Sequence, residues 1–285
     1  MNHILKKYCP RIEFDSYEDF FENFQINVPE AFNFGFDVVD EWARVEPEKR
    51  ALVWCDDHDH ERTFTFTDLS RLSNRAANAF GKLGIGRGDV VMMILRRRWE
   101  YWVCAVALCK LGATIIPASL QLTKKDIAYR ANSAQVKMMV CVDDDYVCTQ
   151  TEEALPDSPS IENRIIVAGE RAGWTPFDEL IAGESDEFER PMGEAGVTSK
   201  DTMLIYFTSG TTGMAKAVCH NFAHPLGHII TAKYWQQVEE DTLHMSVTDS
   251  GWAKFGWGKI YGQWIAGATI FAYDMDKFVP TKLLQ

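Results

Sequence analysis

Between residues 89 and 167 the apolar period of the chain switches again and again, and this alternation restricts the fold more than any other feature. Asp89–Leu95, Ala113–Pro117, Lys137–Val142 and Arg164–Val167 are short and largely apolar, rich in Val, Ile and Met. Trp99–Leu111, Lys124–Ala134 and Tyr146–Leu155 have the length and spacing of helices instead. Strands apolar on both faces must be covered on both faces, and strands joined through helices run parallel. The expected fold is therefore α/β, with layered, parallel-rich sheets and helices on both faces.

The flanking segments extend this pattern. Residues 1–35 are rich in aromatics and acids and read as an extension, a helix plus an extended segment, packed on the body. Residues 36–168 read as a first α/β subdomain, 169–200 as a connector rich in Gly, Pro and acids with one short helix near 176–181, and 201–285 as a second α/β part. Ahead of Pro47 a helix spans about 36–45. Ala51–Cys55 and Thr63–Phe66 suggest a hairpin around Asp56–Glu61, and Thr67 opens an amphipathic helix that Gly84 closes. The histidines and acids of the 56–61 turn read as a solvated tip rather than a metal site.

With 285 residues, 46% of them apolar, the chain can bury a substantial core. A formal charge of −12 disfavours nucleic acid or an anionic membrane as the main partner. No apolar run approaches the ~18 residues of a membrane span, and Met1–Pro10 lacks a signal-peptide core, so a cytoplasmic location is expected. Seven cysteines without a Cys-x-x-Cys pair read as reduced core residues, Cys219 beside His220 being the one in a polar setting.

The stretch from Tyr206 to Val218 carries the chemistry. An apolar strand, Met203–Phe207, should deliver a loop at its carboxyl end, where ligands commonly bind in such sheets. Gly210 and Gly213 allow a tight backbone, Thr208, Ser209, Thr211 and Thr212 offer hydroxyls, and Lys216 offers a point charge. Polyphosphate oxygens need that many donors, and a cation, before they leave water. The loop is not a Walker A motif, because Ala217 follows Lys216.

Thr208–Lys216 closely resembles the signature loop of the adenylate-forming enzymes, the superfamily of acyl-CoA synthetases, aryl-CoA ligases, luciferases and peptide-synthetase adenylation domains, with Ala215 where many members have proline. Thr65–Leu69 and Leu108–Pro117 resemble two of the family's core motifs, and Asn27–Trp42 is similar to the opening of medium-chain acyl-CoA synthetases. The resemblance implies part of a large N-terminal domain of such an enzyme, ATP, Mg2+ and coenzyme A as cofactors, and ATP-dependent activation of a carboxylic acid to an acyl-adenylate and then a thioester. It implies phosphate contacts from Thr208, Ser209, Gly210, Thr211, Thr212, Gly213 and Lys216, with Lys216 and Thr211 closest to the chemistry. Trp252, Phe255, Trp257 and Tyr261 resemble the family's aromatic acyl-pocket motif, and Trp257, Tyr261 and Trp264 recur at helical spacing.

The family's adenine, ribose and magnesium motifs and its catalytic lysine domain are not in these 285 residues, so a truncated, inactive N-terminal piece is expected and metal ligands are left unassigned. The partners expected are a small carboxylic acid and, as an option, a second copy of the chain. A non-catalytic nucleotide-binding or regulatory protein is the alternative. His220 is read as a supporting residue near the ligand, and Arg96–Arg98 as a solvated face, with contact to the coenzyme A tail or a partner's acids as the alternative.

Overall fold

The computed structural model describes residues 2–208 and 214–284, without the side chain of Leu284. Two sheets organise it. Strands β1 (Arg50–Asp56) and β2 (Glu61–Thr65) form the expected hairpin. Then come β3 (Val90–Ile94), β4 (Thr114–Pro117), β5 (Val136–Val142), β6 (Asn163–Val167), β7 (Thr175–Pro176), β8 (Thr202–Thr208), β9 (Lys216–Asn221), β10 (Leu243–Met245) and β11 (Thr269–Asp274). One sheet has the order β7-β6-β5-β3-β4-β8-β9 and the other β10-β11-β1-β2. Every pairing is parallel except the hairpins β1·β2 and β8·β9.

The large sheet is buried on both faces for the reason its composition suggests. Val91, Met93, Val140, Ile165, Val167 and Leu204 point to one core, shared with helices Phe66–Lys82 and Glu100–Leu111. Met92, Ile94, Met139, Cys141, Ile166 and Ile205 point to a second core, with Ile127 and Ala131 of helix Lys124–Ala134 and Val147 and Cys148 of helix Asp145–Ala154. Helix Glu100–Leu111 is buried at every position, and Gly112 closes it at φ 76°. Its Lys110 stays charged-compatible by donating to Asp40 at 2.7 Å and Asn74 at 2.5 Å.

Three expectations are corrected. The boundary drawn through 169–200 does not separate the sheets: β8 and β9 complete the large sheet, and β10 and β11 join the N-terminal hairpin. Parallel crossovers make neighbours of sequence-distant strands, which local pattern cannot show. Next, the helix after the first hairpin is capped by Thr65, not Thr67, through a reciprocal box with Asp68.

Third, Arg96–Arg98 is not a solvated face. Arg96 pairs with Asp276 at 2.7 Å and Asp274 at 3.4 Å, and Arg98 with Glu100 at 3.2 Å and Asp274 at 3.7 Å. Arg97 reaches Asp249 at 3.2 Å and the carbonyls of Tyr273 and Met275. The carboxyl end of β3 abuts that of β11, so the basic run becomes a strut between the two sheets and is spoken for.

Residues 1–35 form two helices, His3–Tyr8 and Tyr17–Asn23, where one was foreseen. Asn2 donates to the Ala266 carbonyl and Trp42 to that of Trp264, and Tyr8, Phe32 and Phe34 are buried. All seven cysteines are free, Cys219 exposed and the others buried or half-buried. No helix among the described residues is long and apolar enough to cross a membrane.

Candidate functional site

Strand β8 ends at Thr208, and β9 begins at Lys216 directly across from it, the two being register partners in an antiparallel pair. The hydroxyl- and glycine-rich segment is thus the connection of a hairpin at the edge of a parallel sheet. Ser209, Gly210, Thr211, Thr212 and Gly213 lie outside the described residues, and the expectation that the loop is a turn without its ligand falls on them. Thr208 and Lys216 are exposed, and the Thr208 hydroxyl points to the Lys216 carbonyl at 3.5 Å. Strand β9 was not foreseen. Its residues 216–219 are exposed, so no burial period announces it.

Helix Lys124–Ala134 grips this hairpin from the side. The Tyr129 hydroxyl donates to the Ala215 carbonyl at 2.9 Å, and the Arg130 guanidinium lies 5.3 Å over the Phe207 ring. Arg130 is held by Asp126, whose carboxylate is 3.7 Å away; burial nonetheless presses its pKa below the usual guanidinium value.

Beside the hairpin is a cleft of about 470 Å³ at the carboxyl ends of β4 and β8. Ala118 and Ser119 after β4, Arg130, Tyr206, Thr208 and Trp252 are among its walls. In open α/β sheets this is where ligands sit. Gly251 is required here by close approach: a Cβ would overlap the Ser119 backbone, so the turn carrying Trp252 can lie against the end of β4 only without a side chain. Asp249 fixes that turn, accepting from the Gly251 amide at 3.2 Å while paired with Arg97.

The structure separates the four aromatics proposed for a pocket. Trp252 is 67% exposed and lines the cleft. Trp257 is half-buried and stacks on Trp235 with centroids 5.2 Å apart. Phe255 and Tyr261 are core residues and line no part of the cleft: Phe255 packs on Tyr101 at 4.7 Å and Trp102 at 5.0 Å, and Tyr261 sits edge-on to Phe34 at 5.2 Å. Trp264 is likewise buried and donates to the Ala51 carbonyl. The reason is a break at Ile260, φ −140° and ψ −74°, between helices Ala253–Lys259 and Tyr261–Ile265, so Trp257 does not share a helical face with Tyr261 and Trp264.

His220 is half-buried on β9, 5.5 Å from the Tyr206 ring that backs the cleft. Burial lowers its pKa, so it is neutral at physiological pH. Among the described residues no three His, Cys, Asp or Glu side chains converge as a metal site. Sequence reasoning missed Tyr129, Arg130 and Ser119, since nothing local marks a helix 80 residues upstream as the flank of the loop.

Comparison with known proteins places this geometry. The family model described as AMP-binding enzyme matches residues 39–285. Acyl-coenzyme A synthetase ACSM3, mitochondrial, of Mus musculus is 32% identical over 282 residues, covering 95% of this chain and 47% of the relative. Acyl-coenzyme A synthetase ACSM5, mitochondrial, of Mus musculus is 34% identical over 258 residues, covering 88% and 43%. The crystal structure of the anthranilate CoA ligase AuaEII in complex with anthranoyl-AMP shares the fold at a TM-score of 0.79 and 19% identity, covering 90% of this chain and 48% of that one. The chain spans about half the length of the curated relatives it matches. With residues 39–285 matched by that model, the chain belongs to the AMP-binding enzyme family.

Proposed function

We propose that this chain carries the phosphate-holding half of an enzyme that activates a carboxylic acid with ATP, giving an acyl-adenylate and pyrophosphate, and then transfers the acyl group to coenzyme A. The observation that carries the reading is the hairpin whose two ends, Thr208 and Lys216, face each other across the carboxyl edge of the sheet beside the cleft. Carboxylates are poor electrophiles at neutral pH, so a good leaving group must first be attached. The loop's work is positioning and charge stabilisation rather than covalent chemistry.

In this reading the hydroxyls of Thr208, Ser209, Thr211 and Thr212 and the amides of Gly210 and Gly213 hold phosphate oxygens, and Lys216 neutralises the charge that grows at the phosphorus. Tyr129 pins the distal arm of the loop. The donor set fits phosphate; it does not fit a metal directly, since the described residues offer no converging carboxylates. Magnesium would therefore reach this half through the phosphates, whose charge it would partly neutralise. Trp252 supplies an apolar wall to the acid, and each methylene buried there contributes about 0.8 kcal/mol. A medium-length aliphatic or an aryl acid is the proposed substrate class.

The test is ATP–pyrophosphate exchange with acetate, butyrate, octanoate and benzoate, comparing the natural gene product with the 285 residues alone. Acid-dependent exchange by the gene product, favouring octanoate or benzoate, and none by the 285 residues, is expected. Nucleotide binding without exchange by the gene product under any acid would instead favour a regulatory protein.

A further inference from the structure

The helix that follows β9 carries the spacing His224-x-x-x-His228, and a further histidine, His220, lies next to the last residue of the strand before it. Residues four apart lie on one helix face. Here the side chains meet: the two Nε2 atoms are 3.1 Å apart, with ring centroids at 4.5 Å and planes at 86°. Nothing in the phosphate chemistry uses this pair.

We propose that His224 and His228 form a two-imidazole site for a divalent transition cation of the copper and zinc class. A cation about 2.0 to 2.1 Å from each nitrogen would subtend about 98° at their observed separation, between the square-planar and tetrahedral values. Imidazole ligates in its neutral form, and burial lowers the pKa of both rings.

Ligation through both Nε2 atoms places the remaining ring proton on Nδ1. In His228 that atom lies 3.2 Å from the Thr231 hydroxyl oxygen, which accepts it, the kind of outer partner that orients ligating imidazoles. The ring planes are also fixed from outside. Tyr261 stacks on His228 at 6.3 Å and 17°, and His220 packs on His224 at 4.3 Å. Gly262 makes the first contact feasible, since a Cβ there would overlap the His228 carbonyl.

Both rings are half-buried rather than sealed, and a shallow opening lined by Lys200, Thr202, Cys219, His220, Asn221 and His224 leads to the His224 side of the pair. With no third protein ligand converging among the described residues, water fills the other coordination positions. The affinity order should follow general preference, Cu2+ above Zn2+, with Mg2+ excluded by the nitrogen donors.

The test is titration of the 285-residue chain with Cu2+, Zn2+ and Mg2+ by calorimetry, and electron paramagnetic resonance of the Cu2+ form. One Cu2+ per chain with two equatorial imidazole nitrogens is expected, with Zn2+ weaker and no heat from Mg2+. His224→Gln and His228→Gln should each weaken Cu2+ binding at least tenfold, and Thr231→Val about tenfold. A His58→Gln, His60→Gln double variant should leave it unchanged. Should a variant fail to fold, the resonance spectrum of the unaltered chain still decides. A spectrum without two imidazoles, absence of binding, or affinity that survives both helix substitutions in folded protein would overturn the assignment.

Discussion

Arg97 and Asp249 are joined by an ion pair of 3.2 Å that ties the carboxyl end of β3 to the turn presenting Trp252 to the cleft. Both side chains are largely withdrawn from water, and the same guanidinium also donates to the Tyr273 and Met275 carbonyls. Replacing Arg97 with Met leaves Asp249 without its counter-ion and the Tyr273 carbonyl without this donor, while the Met275 carbonyl keeps only Arg96. The expected cost is about 2 to 4 kcal/mol of stability, read by chemical denaturation. A loss below about 0.5 kcal/mol would show that the strut is ornamental.

Lys259 gives a pH signature. It is 1% exposed, and burial, reinforced by the positive Arg97 and opposed by Asp249 and Asp274, holds its pKa at about 7 against an ordinary 10.5. The unfolded chain therefore binds more protons than the folded one between about pH 7 and 10.5. This group's contribution to stability is fully present above 10.5, falls as pH drops through that window, and is flat below about 7. Lys259→Met removes the buried ammonium at similar volume. Relative to the unaltered chain it should gain stability at pH 7, on the order of a few kcal/mol, and the gain should shrink steadily toward pH 9.5. A gain independent of pH would refute the assignment.

Gly251→Ala tests the close approach of the cleft's two walls. The added methyl overlaps the Ser119 backbone, so the turn must shift away from β4, at a cost of about 1 to 3 kcal/mol. Hydrogen exchange should rise in 249–253 and 118–121 together. Exchange unchanged in both segments would show that the walls do not touch in solution.

The large sheet was legible because its strands are short apolar runs and the segments between them are too long and too helical in spacing to be strands: element by element, residues 89–167 fold where the period says. Legibility failed where a structural fact has no local period. Strand β9 is an exposed edge, so its alternation carries no apolar signal. The aromatic run 252–264 looks continuous in sequence, but the break at Ile260 takes Tyr261 and Trp264 off the face of Trp257, and within the helix before it Phe255 turns into the core while Trp252, at its N-terminus, stays at the cleft. Arg96–Arg98 looked solvated because its acids, Asp249, Asp274 and Asp276, lie some 150 to 180 positions further along the chain. The hydroxyl- and glycine-rich segment stands out in the sequence because its residues are contiguous, whereas Tyr129 and Arg130 meet its flanks, Ala215 and Phe207, only through the fold.

The central claim is that the hairpin closed by Thr208 and Lys216 stabilises charge on ATP during acid activation. Acid-dependent ATP–pyrophosphate exchange by the natural gene product, unaltered and with Lys216→Ala, tests it most directly. Loss of a single electrostatic stabiliser of about 2 to 4 kcal/mol predicts a fall in exchange rate of about 30- to 900-fold, with the fold intact by circular dichroism. An exchange rate within twofold of the unaltered protein would contradict the account.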